Sequence, residues 1–281
     1  MLLEWITTPL SYAFMQRGLA AALMVGILCA VIGCYVVLRS MAFLGDAIAH
    51  SILPGIAVAY IAGINLTIGA LVAAIFVALG VGVFSKRGTI KEDTAIGILF
   101  SAALAAGVAL ISSIRSYAVD LSHILFGNIL GVSSLDLAMT AGIGLIVLLC
   151  VFALFRPFMV VSFDPILAAT LRMPVTLLRN LMLVLIALTI VVSIQTVGVG
   201  LAAAMLVTPA ATAYLLTRRL STMMLIAAFV GALASLVGLY ISYYANIASG
   251  AAIVLTVTAF FLMAFLFAPE RGYLVRGRKS T

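Results

Sequence analysis

The chain has 281 residues, 66% of them hydrophobic and 8% charged, with a formal net charge of +7 and a mean hydropathy of +1.36. Soluble domains carry roughly 25% charged residues, so this composition excludes a soluble globular protein. Apolar runs of roughly 18 residues or more recur along the chain without strand-like alternation. That excludes a membrane β-barrel and predicts an all-α, polytopic helical membrane protein of about eight or nine spans.

The first sixteen residues, MLLEWITTPLSYAFMQ, lack the basic start and small-residue cleavage site of a secretory signal. Trp5, Tyr12 and Phe14 suit the headgroup zone, so residues 1–16 read as an interfacial amphipathic segment. The first span is predicted over 18–38. It contains Cys29 and Cys34, and Cys150 lies in a later apolar run. No CxxC spacing links the three, so they read as small packing residues.

The second span, 42–62, is interrupted by Pro54-Gly55 and carries Asp46 and His50. Counted along one helix from Arg39 at the membrane face, Asp46 lies roughly 10 Å deep and His50 roughly 16 Å. A carboxylate at mid-membrane costs at least about 2.5 kcal/mol. Residues four apart share a helix face, so a carboxylate oxygen and an imidazole nitrogen stand side by side. Ser51 follows about 100° round the helix and could line the same cavity. Pro54 denies a hydrogen bond to the carbonyl near His50 and loosens the backbone there. Two readings stand: a pair that only hydrogen-bonds itself and nearby backbone, or ligands for a divalent cation such as manganese or zinc. Two ligands are too few for a tight site, and a symmetric dimer would bring two Asp and two His around one axis.

Spans three and four are predicted over 66–85 and 94–113. They flank SKRGTIKEDTAIG, where Asp93 or Thr94 is expected to cap the fourth helix. YAVDLSHILFGNILGVSSLD follows, too polar and too short to span. Its Asp120 and His123 are three apart, and with Asn128 they belong to either a surface plug or a gate over a permeation path. After a fifth span over 135–155 comes VSFDPILAATLRMPV, residues 161–175. Pro165 at the first helical position after Asp164 predicts a short helix at the membrane face, either an ordinary connection or a docking site. The remaining spans are 176–196, 198–217 (interrupted at Thr208-Pro209), 222–244 and 250–268, ahead of a basic tail over 269–281.

Alternate loops hold thirteen of the fifteen Lys and Arg residues, leaving Arg17 and Arg115 on the other side. The positive-inside rule then places the N-terminus outside and the C-terminus in the cytoplasm. The basic charge thus reports insertion topology and lipid contact, not nucleic-acid binding. Residues 17–62 and 179–217 each run from an arginine through a long span to a proline-broken helix, in opposite senses. The halves would then be inverted repeats, an arrangement common among transporters. No P-loop, HExxH or GxSxG occurs, so catalysis by this chain is not expected.

Together, FLGDAIAHSILPGIAVAY, LSHILFGNILGV, SFDP and VGVGLAAAMLVTPAATA resemble the membrane permease of manganese, zinc and iron ABC importers, over about residues 10–269. The resemblance implies one permease domain over 1–281 with an inverted-repeat, type II-like importer fold, multi-pass in the bacterial plasma membrane. It implies a homodimer or a pair of similar subunits, seated on cytoplasmic ATPase subunits that hydrolyse the ATP. Metal would arrive from an extracellular or periplasmic solute-binding protein. Asp46 and His50 become candidate metal ligands, and the His123 stretch matches an outer re-entrant helix. Residues 161–175 become the coupling helix, with Asp164, Pro165, Ala168 and Arg172 at the ATPase contact. The family often reads DPE followed by a later Gly, so Ile166 and Arg172 depart from it. The implied cargo is manganese, by the LSHILFGN wording, with zinc or iron next and no permanently bound cofactor. The alternatives are a permease for a metal chelate such as a siderophore or cobalamin, and a secondary metal transporter driven by an ion gradient.

Overall fold

Each long apolar run becomes a helix, as it must where lipid offers the backbone no hydrogen-bond partner. The computed structural model describes residues 8–85, 90–113 and 129–269. In chain order the helices are α1 (Ala13–Leu38), α2 (Leu44–Ser51), α3 (Leu53–Ile61), α4 (Leu66–Phe84), α5 (Glu92–Ser112) and α6 (Ser134–Ala153). They continue with α7 (Phe155–Phe163), α8 (Pro165–Thr170), α9 (Val175–Val197), α10 (Val199–Leu216), α11 (Leu220–Ala245) and α12 (Ser249–Phe267). With α2 and α3 counted as one broken span, nine segments among the described residues are long and apolar enough to cross a membrane. α1 starts earlier than expected, so residues 13–16 belong to the first span. Of the interfacial segment, only 8–12 remain as described residues outside it.

Close approach of small residues brings the helices together, because between helices in lipid there is little hydrophobic drive. α1 packs along α10 and α11, α9 along α4 and α6, and α3 along α4 and α5. A Cβ added to Gly33 of α1 would lie 1.7 Å from the Leu206 carbonyl oxygen of α10. On the α1–α11 seam, Gly26 faces Gly231, and Ser235 Oγ donates to the Ala22 carbonyl at 2.9 Å. Cys29 and Cys34 are buried free thiols, and Cys29 Sγ is 3.2 Å from Ser193 Oγ of α9. They are packing residues, as the sequence indicates.

The two prolines behave differently. The ladder breaks at Ile52, so Pro54 falls in the first turn of α3, where a missing N–H is harmless. α10 runs unbroken through Pro209, contrary to expectation. A proline forfeits one backbone bond, and the close-packed seam holds the helix in place: Pro209, Ala210 and Ala213 are buried. α9 and α10 are joined by Gly198 alone, at φ +83° and ψ 168°, a conformation that is essentially glycine's own.

Helix ends sort onto two faces. Val37, Phe163, Thr217 and Met223 line one cavity, which places the ends of α1, α7 and α10 and the start of α11 together. At the opposite face, Met15, Leu130 and Ser242 line another. Arg39 and Arg218 therefore lie on one face, and Arg17, near the start of α1, lies towards the other.

Candidate functional site

α1 ends before its apolar character does. Ser40 takes a left-handed conformation at φ +57°. Its N–H donates to the Val37 carbonyl, and the Met41 N–H donates to that of Val36, the bond pattern of a Schellman stop. The chain then turns before α2 begins at Leu44, so Asp46 sits in the first turn of a new helix. It lies only about 3 Å of rise beyond Leu44. Its neighbour Gly45 packs against the side chain of Leu206, midway along α10.

Asp46 lies in the first turn of α2, where a carboxylate complements the helix dipole, and His50 lies in the last. Nε2 of His50 is 3.6 Å from Oδ1 of Asp46, too far for a hydrogen bond. The Asp46 side chain is 42% exposed and that of His50 32%, so the pair opens onto the surface of the chain and is not locked into its core. The His50 ring stands edge-on to Phe100 of α5, with centroids 6.1 Å apart, and Phe100 meets Phe43 in the same way at 5.8 Å.

Ser51 does not join the pair. It is fully buried, and its hydroxyl donates to the Ala47 carbonyl at 2.6 Å. This is the usual fate of a serine in a helix with no other partner. Together with Pro54 it borders a separate crevice of about 530 Å³, lined by apolar groups of α3, α4 and α5 such as Val72, Phe76 and Ala103. No third ligand joins Asp46 and His50, since no group of three His, Cys, Asp or Glu occurs among the described residues. Asp120, His123 and Asn128 lie outside the described residues.

The 161–175 segment folds as its local chemistry dictates. Oδ1 of Asp164 accepts from the N–H groups of Ile166 (3.0 Å) and Leu167 (2.9 Å), capping α8, with Pro165 at its first position. At the other end, the Arg172 N–H donates to the Ala169 carbonyl and the Met173 N–H to that of Ala168. This too is a Schellman stop, and it holds Arg172 at φ +56°. Ala168 is buried against the fold, whereas Ile166 is 78% exposed, with Leu167 and Leu171 exposed beside it. Arg172→Gly is expected to relieve a left-handed penalty of about 1 kcal/mol and raise the melting temperature. An unchanged or lower melting point would show that Arg172 makes a compensating contact.

A cluster at the α1, α5 and α9 ends is absent from the sequence reading. Arg39, just past α1, donates through Nη2 to Oε1 of Glu92, the first residue of α5. Arg179, near the start of α9, has Nη1 3.9 Å from the same oxygen. Its Nη2 donates to the Gly82 carbonyl of α4 at 2.6 Å. Burial lowers the Arg39 pKa, which Glu92 opposes and Arg179 reinforces. Lys91, not Asp93 or Thr94, occupies the cap position of α5, which begins at Glu92.

The chain matches the model of the ABC 3 transport family over residues 11–268. It is 48% identical over 267 residues to the manganese transport system membrane protein MntC of Halalkalibacterium halodurans, covering 95% of this chain and 91% of that protein. To the chelated iron transport system membrane protein YfeD of Yersinia pestis it is 42% identical over 267 residues, covering 95% and 90%. Among solved structures, PsaBC from Streptococcus pneumoniae in complex with Fab superposes with a TM-score of 0.85 at 42% identity, covering 99% of this chain and 100% of that one.

Proposed function

Because this chain belongs to the ABC 3 transport family, we infer that it is the membrane permease of an ATP-driven importer of a divalent transition metal, with manganese as the leading cargo. The observation that carries this reading is the loose Asp46–His50 pair on one face of α2. A carboxylate and an imidazole suit manganese, iron or zinc. Two ligands hold a passing ion without the closed cage that would trap it. Half-exposed ionisable groups at membrane depth are costly unless covered or hydrated. A second copy of the chain, or a similar subunit, facing this surface would cover the pair and supply further ligands.

The face bearing Arg39 and Arg218 is assigned to the cytoplasm by its basic residues, with the N-terminus outside. ATPase subunits dock there on the exposed apolar side of α8, and a solute-binding protein delivers metal at the opposite face. Ile166→Asp is expected to leave the permease folded, since Ile166 is 78% exposed, while ATPase subunits no longer co-purify. Undiminished co-purification would remove α8 from the contact.

Uptake by cells lacking their own importer, supplied with this chain and its ATPase and compared across manganese, zinc and iron, tests the whole reading. ATP-dependent manganese accumulation is the expected result. Preference for a bulky chelate, or uptake that survives loss of the ATPase, would overturn it. The similarity to a chelated iron transport protein is the reason for including iron and a chelate in the comparison.

A further inference from the structure

Glu92 joins the two parts of the chain that the proposed function must connect. Through Arg39 it holds the segment that leads, five residues later, into α2 and Asp46. Arg179 links it to the start of α9, which α8 feeds through residues 171–174. Along its own helix, α5, it reaches Phe100, which packs edge-on against His50. We propose that Glu92 is a positioning residue that couples ATPase docking at α8 to the geometry of the Asp46–His50 pair. The inference rests on the function proposed above.

The chemistry of the cluster favours a moving joint over a fixed clamp. Buried ion pairs add little stability compared with apolar packing, so three charges at this depth are poorly explained as glue. One carboxylate serves two guanidinium groups with side chains only 9% and 15% exposed, leaving an excess positive charge. Arg179 Nε and the neighbouring Asn180 Oδ1 are buried without hydrogen-bond partners. A static network would be expected to satisfy both. A spare donor and a spare acceptor on adjacent residues suit a second arrangement of the α9 end, in which Arg179 exchanges partners. Coupling of this kind requires an element with two discrete arrangements, and the shared carboxylate supplies the switch point.

The test uses the complete transporter, with permease, ATPase and binding protein, in proteoliposomes loaded with manganese outside. Glu92→Gln removes the charge at constant size. Arg179→Gln leaves the Arg39–Glu92 pair in place and serves if Glu92→Gln fails to assemble. In each variant, ATP hydrolysis is expected to continue while manganese carried per ATP falls about tenfold, and Glu92→Asp should recover part of the loss. Uptake and hydrolysis falling in parallel, at constant ions per ATP, would mean a merely structural role and would overturn the proposal. So would an unchanged ratio in both variants. Failure of the unmodified transporter to take up manganese would instead overturn the functional reading, and this inference with it.

Discussion

Asp46→Asn is expected to abolish manganese uptake while the permease still assembles with its ATPase. The substitution keeps shape and removes the charge that attracts a cation. Loss of a mere outer-shell partner typically weakens a metal site about 10- to 100-fold, so loss of one of two candidate ligands should do no less. Stability should hardly change. Asp46 accepts no hydrogen bond within range from His50, and its favourable placement at the start of α2 is worth about 0.3–1 kcal/mol. His50→Gln should behave similarly, with the added loss of the edge-on contact to Phe100. Radioactive manganese uptake, read beside ATPase co-purification, separates transport from assembly. Wild-type uptake by Asp46→Asn would remove the pair from the pathway and leave it as a structural feature of α2.

The second large effect concerns folding. Gly33→Val, and to a lesser degree Gly33→Ala, should prevent α1 from seating on α10. Overpacking a core with extra methylenes usually costs about 1–3 kcal/mol, because side chains can shift. Here the obstacle is a backbone oxygen 1.7 Å from the position of the new Cβ, and the helices themselves would have to part. Gly97, Gly142 and Gly200 are the controls, since a Cβ at any of them meets nothing within 4 Å. The monodisperse fraction after detergent extraction is the measurement. A Gly33→Ala protein that extracts and melts like the wild type would refute the claim that this close approach is required.

Local chemistry was legible where it acts alone. Asp164 followed by Pro165 announced the start of α8, because cap and first-turn proline act within four residues, and the helix begins there. The left-handed conformation of Arg172 is one that disfavours any side chain, so a glycine would suit that slot better. Pro54 and Pro209 looked alike as residues, yet only the first lies beside a break, because the surroundings of α10 hold its helix together. The stop at Ser40 uses no glycine, so nothing in the residue pattern marked it. Ser51 turned inward because its own helix offers an acceptor at bonding distance.

Residue order is enough to show that the chain crosses a membrane, roughly where each span lies, and that Asp46 and His50 share a helix face. Those properties follow from hydrophobic length and helical period, which need no knowledge of distant partners. That the pair is loose and open, and that Glu92 gathers Arg39 and Arg179 at one point, emerges only from the packing of the helices. Both depend on which helices come within ångströms of one another. In lipid that choice is made by the fit of small residues across seams such as Gly33 against Leu206, not by the order of residues along any one helix.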